Sequence, residues 1–205
     1  TSSNPVFLVA RSFDINRPGT KIEKLNGGVL GGILKQGKLK VGDEIEIKPG
    51  MIIKKAHEKI YKTITTKILS LHKGNQSVDQ VIPGVSISIE TNLDPILTKS
   101  DSLTGCLASL KGQLPEITHN TKIKTKLFKE VLGTEDKKPV DPIKTKEMLM
   151  MSVNTTITVG IVEKIKNDDI EMSLNIPIVA LKGNNVGIAR NLNGHWRLIG
   201  FGEII

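Results

Sequence analysis

Gly27-Gly28-Val29-Leu30-Gly31-Gly32-Ile33-Leu34-Lys35-Gln36-Gly37-Lys38-Leu39-Lys40-Val41-Gly42-Asp43-Glu44-Ile45-Glu46-Ile47-Lys48-Pro49-Gly50 decides the fold class. Ile45 and Ile47 alternate with Glu44, Glu46 and Lys48, the period of a strand with one buried and one wet face. Gly37 and Gly42 divide the run where tight turns need positive φ. The doubled glycines at 27/28 and 31/32 sit inside an apolar strand, where glycine weakens pairing. A bulge, a barrel corner or the close approach of another backbone explains them. A small β-barrel with managed edges accounts for the whole pattern.

The rest of the chain keeps this rhythm. Val6 to Phe13 reads as a first strand, followed by the turn-rich Asp14-Ile15-Asn16-Arg17-Pro18-Gly19-Thr20. Further strands are predicted near 28–34, 43–48, 60–71 and 85–91. That spacing suits an antiparallel barrel rather than a βαβ sheet. Pro83-Gly84 marks the turn before Val85-Ser86-Ile87-Ser88-Ile89, and Asp94-Pro95 closes that segment. A new strand begins at Gly105, so the boundary is expected near 97–103, with a first barrel over 1–98 and a second over 99–205.

In the second half, Ile123 to Leu132 fits strand or helix, and the lysine alternation about Thr125 favours strand. Thr134 to Lys146, charged and holding Pro139 and Pro142, reads as an exposed loop. Met148 to Val153, Thr156 to Lys164, Asp169 to Leu174, Val186 to Arg190 and Trp196 to Ile204 follow as strands. Asn167-Asp168-Asp169 and Asn193-Gly194 are hairpin turns. Trp196 is expected as a core anchor of the second barrel. The fold class is all-β, two consecutive antiparallel β-barrels.

Composition narrows the function classes. The 205 residues carry a net charge of +8, mostly on lysine. Lys48, Lys54, Lys55, Lys59, Lys62, Lys67 and Lys73 thicken one region, and Lys122, Lys124, Lys126, Lys129, Lys137 and Lys138 another. Such a balance favours nucleic acid or an acidic partner, or else a solvated, thermally robust surface. Aromatics are only 3%, which argues against a base-stacking platform, so RNA would be held by its backbone and an end. The single cysteine, Cys106, rules out an internal disulfide and a zinc cluster and reads as a small buried hydrophobe in a reducing, cytoplasmic setting. No apolar run approaches the roughly 18 residues of a membrane span, and no signal-peptide pattern opens the chain. No membrane is expected as a partner. A start at Thr1 rather than methionine is the expectation for a fragment.

Catalytic chemistry is not legible. No Gly-x-x-x-x-Gly-Lys-[Ser/Thr] segment occurs, and the glycines at 27–32 lead into a strand rather than a helix. His57, His72, His119 and His195 are scattered, without the spacing or cysteines of a metal site. Asp168 and Asp169 point different ways in their turn and make no acid/base pair. The chain on its own reads as no enzyme, with no metal and no cofactor.

A family resemblance adds to this reading. Val9-Ala10-Arg11-Ser12-Phe13-Asp14-Ile15-Asn16-Arg17-Pro18-Gly19-Thr20, the glycine run from Leu25 and the Gly37 to Gly50 stretch resemble the gamma subunit of archaeal and eukaryotic translation initiation factor two. The likeness continues through Thr66-Lys67-Ile68-Leu69-Ser70-Leu71, Leu93-Asp94-Pro95, Asp101, Leu114-Pro115-Glu116, Val140-Asp141-Pro142-Ile143 and His195-Trp196-Arg197-Leu198-Ile199-Gly200. Val85 departs from a glycine usual in the family, and Arg190-Asn191 from a basic pair.

The resemblance implies the two elongation-factor-Tu-like barrels without their G domain. It implies a GTP-dependent carrier of initiator methionyl-tRNA to the small ribosomal subunit, assembled as a heterotrimer. GTP and magnesium would belong to the missing G domain, together with the beta subunit, while the alpha subunit would dock on the first barrel. For the tRNA 3′ end the resemblance points to Ala10, Arg11, Ser12, Pro83, Gly84 and Val85. For the alpha subunit the long connections 14–24 and 51–62 supply Asp14, Asn16, Arg17, Lys21, Lys54, Lys55, Lys59 and Tyr61. The basic loop from Thr134 is a candidate for ribosomal RNA. The barrels of another translational GTPase, such as the selenocysteine-specific elongation factor, are the alternative, and a generic basic RNA-binding barrel is a third.

Overall fold

The computed structural model describes residues 3–205. Two compact units meet in sequence between Leu114 and Pro115, later than the boundary expected near 97–103.

The first unit contains β1 (Val6–Phe13), β2 (Val29–Gln36), β3 (Leu39–Lys40), β4 (Glu44–Lys55), β5 (Glu58–Lys73), β6 (Gln76–Val78), β7 (Gln80–Val81), β8 (Ser86–Thr91) and β9 (Leu107–Leu110). The ladder runs β4-β9-β1-β2-β8-β5 and closes through β4–β5, with β6 on the flank of β5 and a separate β3–β7 pair. Every pairing is antiparallel.

β9 explains the late boundary. It pairs Ala108 with Phe7 and with Ile47, filling the gap between β1 and β4. No local pattern in Leu107-Ala108-Ser109-Leu110 announces partners as distant in sequence as Phe7 and Ile47.

Alternation in β4 holds, but past the exposed Glu44 its outer face is not wet. Ile45 and Ile47 are fully buried in the core with Phe7, Val9, Leu30, Leu34 and Ile89, each contributing about 2 kcal/mol. Glu46 and Lys48 are buried as well. Glu46 Oε1 accepts from the Leu114 N–H at 2.8 Å, and Lys48 Nζ donates to the Leu114 carbonyl at 3.2 Å. The two side chains clamp the end of the unit onto β4, satisfying polar groups that burial would otherwise penalise.

One glycine of each pair, Gly27 and Gly32, answers to close backbone approach, while Gly28 leaves room for the Thr98 side chain. A Cβ on Gly32 would lie 1.9 Å from the Leu8 carbonyl oxygen, and one on Gly27 1.8 Å from that of Thr91. Only glycine lets these strands pass so near.

The second unit closes β10 (Ile117–Leu127), β13 (Asp169–Val179), β12 (Thr156–Lys166), β11 (Met148–Val153), β14 (Asn185–Leu192) and β15 (His195–Ile204) into a barrel in that order. Its core gathers Ile123, Leu149, Met151, Val162, Ile188 and Ile199. Trp196 is half-buried and outside that core, because inward positions of β15 fall on Ile199 and Ile204. Among the described residues no helix is long and apolar enough to cross a membrane.

Candidate functional site

Ala10 is where β1 departs from regular pairing. Val9 faces Gly32 and Arg11 faces Gly31, so Ala10 is the extra residue of a bulge. Bulges re-aim neighbouring side chains and frequent binding sites. Arg11 is exposed, and its Nε donates to Asp101 Oδ1 at 2.8 Å. The Ser12 N–H donates to the same oxygen at 3.0 Å. The guanidinium and then the Ser12 N–H hold the Asp101 carboxyl below its ordinary range, and the partnership raises Arg11. Arg11 also lies 5.8 Å from the centre of the Phe13 ring.

Ser12 is turned the other way. It is buried, and its Oγ accepts from the Leu103 N–H at 3.1 Å. Its hydroxyl therefore serves the barrel, and only Ala10 and Arg11 of this trio present a surface.

Pro83, Gly84 and Val85 form the turn entering β8. Pro83 and Gly84 are exposed, Gly84 has φ of +120°, and Val85 leans onto the core. Nothing in the protein crowds a Cβ at Gly84, so the turn conformation alone accounts for it. Register separates this turn from Arg11. Arg11 aligns through Gly31 with Ser88, whereas Ser86 aligns through Ile33 with Leu8. The offset is roughly 10 Å along the strands, with β2 between them. The two halves of the proposed 3′-end site share one wall but do not touch.

The connection between β1 and β2 is a surface loop braced by its own hydrogen bonds. Asp14 Oδ1 accepts from the backbone and side-chain N–H groups of Asn16 at 2.8 and 2.7 Å, which lowers its pKa. Asn16 also bonds the backbone of Asn26 in both directions. Arg17 accepts at its carbonyl from the Thr20 N–H and hydroxyl. Thus Asn16 fixes the loop base, and Asp14, Arg17 and Lys21 lie on its surface. The same loop exposes Ile15, Ile22 and Leu25 by 51%, 84% and 41%. These apolar residues were missed in the sequence; their signal was hydrophobicity outside any strand period.

Residues 51–62 are not a loop. β4 and β5 continue past the barrel as a two-stranded ribbon, Met51 opposite Lys62, Ile52 opposite Tyr61, Ile53 opposite Ile60, Lys54 opposite Lys59 and Lys55 opposite Glu58. Alternation puts Ile52, Lys54, Lys59 and Tyr61 on one face and Lys55 on the other. The expected docking residues of this segment therefore divide between two faces.

No cluster of three His, Cys, Asp or Glu able to hold a metal occurs among the described residues. His119 Nδ1 is bonded to the Leu174 carbonyl at 3.0 Å. Cys106 lies in the first core, and burial pushes its thiol up to about 11, far from nucleophilic. In the second unit Arg190 is engaged with Glu147 through Nε and Nη2, and also donates to the carbonyls of Asp141 and Pro142. The exposed loop that holds Pro139 and Pro142 is thus strapped down at its end.

The profile described as Elongation factor Tu domain 2 matches residues 27–106, and Initiation factor eIF2 gamma, C terminal, matches 119–204. Translation initiation factor 2 subunit gamma of Pyrococcus furiosus is 47% identical over 200 residues, covering 98% of this chain and 49% of that protein. Its counterpart in Thermoplasma volcanium is 44% identical over 202 residues, again covering 98% and 49%. The chain thus spans about half the length of the curated relatives it matches. A bacterial selenocysteine-specific elongation factor shares the fold at TM-score 0.68 and 17% identity, over 99% of this chain and 28% of its own; that likeness extends to fold alone. With both barrels matched in order, the chain belongs to the family of the gamma subunit of translation initiation factor 2.

Proposed function

We propose that these barrels serve as the tRNA- and subunit-binding part of a GTP-dependent carrier of initiator methionyl-tRNA to the small ribosomal subunit. The observation that carries this reading is the identity of 44% to 47% with named gamma subunits along nearly the whole chain. GTP, magnesium and the beta subunit belong, in this reading, to the portion of the relatives that this chain does not span.

The 3′ end of the tRNA lies along the wall from Ala10 and Arg11 to Pro83, Gly84 and Val85, with Ser12 supporting it from inside. Arg11 offers charge to a phosphate, and the exposed turn lets a ribose approach the backbone. The alpha subunit docks on the loop 14–24. Asp14 and Asn16 hold it in shape, while Ile15 and Ile22 supply the apolar centre and Arg17 and Lys21 the polar rim of an interface.

The test is capture of the alpha subunit's C-terminal domain by the purified chain at micromolar concentration. Binding is expected, with loss of at least tenfold in Ile15→Asp/Ile22→Asp and no change in circular dichroism. A folded chain that captures no alpha domain, or a double variant that captures it undiminished, overturns the docking site.

A further inference from the structure

Asn-Gly occurs twice in the chain, at Asn26-Gly27 and at Asn193-Gly194. Both asparagines are exposed. Such a pair is chemically fragile, because the glycine nitrogen attacks the asparagine side chain with no Cβ in its way. That nitrogen loses its proton to solvent and bonds to Cγ, the Cγ–Nδ2 bond breaks, and ammonia leaves. Water then opens the five-membered succinimide at either carbonyl, leaving aspartate or isoaspartate. In both places the fold sets a second asparagine against this reaction.

At the hairpin between β14 and β15 the Gly194 N–H donates to Asn191 Oδ1 at 2.9 Å. Asn193 and Gly194 have φ of +53° and +84°, and Leu192 pairs with His195 to close the two-residue turn. Space does not protect this site: a Cβ on Gly194 would meet nothing within 4 Å. The nitrogen is held by its hydrogen bond, which must break before the nitrogen turns towards Cγ.

At the base of the loop before β2, Asn16 acts on the other member of the pair. Its Nδ2 donates to the Asn26 carbonyl at 2.9 Å, and its Oδ1 accepts from the Asn26 N–H at 2.7 Å. The Gly28 N–H donates to the Leu93 carbonyl at 3.0 Å, and Gly27 lies against the Thr91 carbonyl. The peptide between Asn26 and Gly27 is fixed from both sides and swings towards the side chain only on local opening.

We propose that Asn191 and Asn16 are chemical guards, each suppressing succinimide formation at its Asn-Gly pair. Nothing about this role depends on what the barrels bind. A two-residue hairpin favours Asn-Gly for its positive φ, so the reactive pair is kept and a neighbour restrains it. Failure of the guard would be structural in its effect. Isoaspartate adds a main-chain atom to the turn, and the next rungs are Asn191 opposite Trp196 and Arg190 opposite Arg197.

Incubation of the purified chain at mildly alkaline pH, followed by proteolysis and mass spectrometry, reads each site separately. In the folded parent both pairs should persist, and in urea both should deamidate; this comparison needs no variant. Asn191→Ala should speed the loss of Asn193 on the order of tenfold, the effect of releasing one hydrogen bond, and leave Asn26 unchanged. Asn16→Ala should do the reverse. Asn191→Asp, which keeps an acceptor for the Gly194 N–H, should react as slowly as the parent. Circular dichroism and an unchanged melting temperature separate a gain in rate from unfolding. A folded Asn191→Ala chain in which Asn193 reacts no faster overturns the proposal. So does a folded parent in which either pair reacts as fast as in urea.

Discussion

Both units close six antiparallel strands around an aliphatic core, yet they treat everything outside that circuit differently. The second joins β11 to β12, β12 to β13 and β14 to β15 by tight turns whose asparagines, Asn154, Asn167 and Asn193, all have positive φ. Its one long connection of the described residues, from β10 to β11, is pinned by Arg190. Register shifts occur in both, but the first unit also carries an apolar loop over 14–28 and a ribbon thrown past the rim. Closure satisfies the strands in both. What closure does not require is where partner-binding chemistry can collect, and the first unit has far more of it.

Close backbone approach occurs in both walls, at Gly32 and at Gly200, whose Cβ would lie 2.5 Å from the Lys126 carbonyl oxygen, so tight and open glycine positions give the largest expected difference. At Gly32 the first barrel brings β2 against the Leu8 carbonyl, while a Cβ on Gly187 in β14 would meet Leu198 and Ser152 at an ordinary 3.6 Å. Gly32→Ala is expected to cost about 4 kcal/mol, because backbone rather than a flexible side chain must yield. Gly187→Ala should stay within about 1 kcal/mol. Hydrogen exchange of core amides in each unit reads the two separately. Equal, small effects would show that β1 and β2 do not approach so closely.

The second test concerns the strap. Arg190 and Glu147 are only 12% and 16% exposed at their side chains, so removing one partner leaves a charge with little water to solvate it. Arg190→Met should cost about 3 kcal/mol and speed exchange of the Val140 amide, which bonds the Lys129 carbonyl. If residues 134–146 exchange no faster in the variant, the strap is incidental, and the second unit's loop is held by Val140 and Ile143 against the core.

What was legible in the chain tracks the range of the interactions. Alternation marked β8 and β11 almost to the residue, and Asn193-Gly194 marked its hairpin, because both signals are local. β9 was assigned to the wrong unit because its ladder partners, Phe7 and Ile47, are far away in sequence. Glu46 and Lys48 followed the outward period, yet the Leu114 backbone covers them, and no spacing rule reveals a side chain clamping a distant main chain. The ribbon reads as a loop in the sequence since Lys54, Lys55, Glu58 and Lys59 hide the alternation of Ile52 and Ile60. In the candidate site Arg11 was evident as a basic residue in a family motif, whereas its holder, Asp101, became visible only when the fold joined residues 90 positions apart.

The smallest effect concerns that pair. Arg11 and Asp101 lie in water, unlike Arg190 and Glu147, so Arg11→Gln should hardly alter stability at neutral pH. The pair should instead reveal itself through pH. Asp101 is held below its ordinary value of 3.8, first by Arg11 and then by the Ser12 N–H. Its contribution is therefore complete above that value and is lost as pH falls through the lower, folded one. An NMR titration of the Ser12 amide should show the transition below 3.8 in the parent and closer to the ordinary carboxylate range in Arg11→Gln. An ordinary value already in the parent would mean that Asp101 does not hold the guanidinium. Arg11 could then meet a phosphate without first leaving a partner, and the first unit's wall would be as uncommitted to its own barrel as its ribbon.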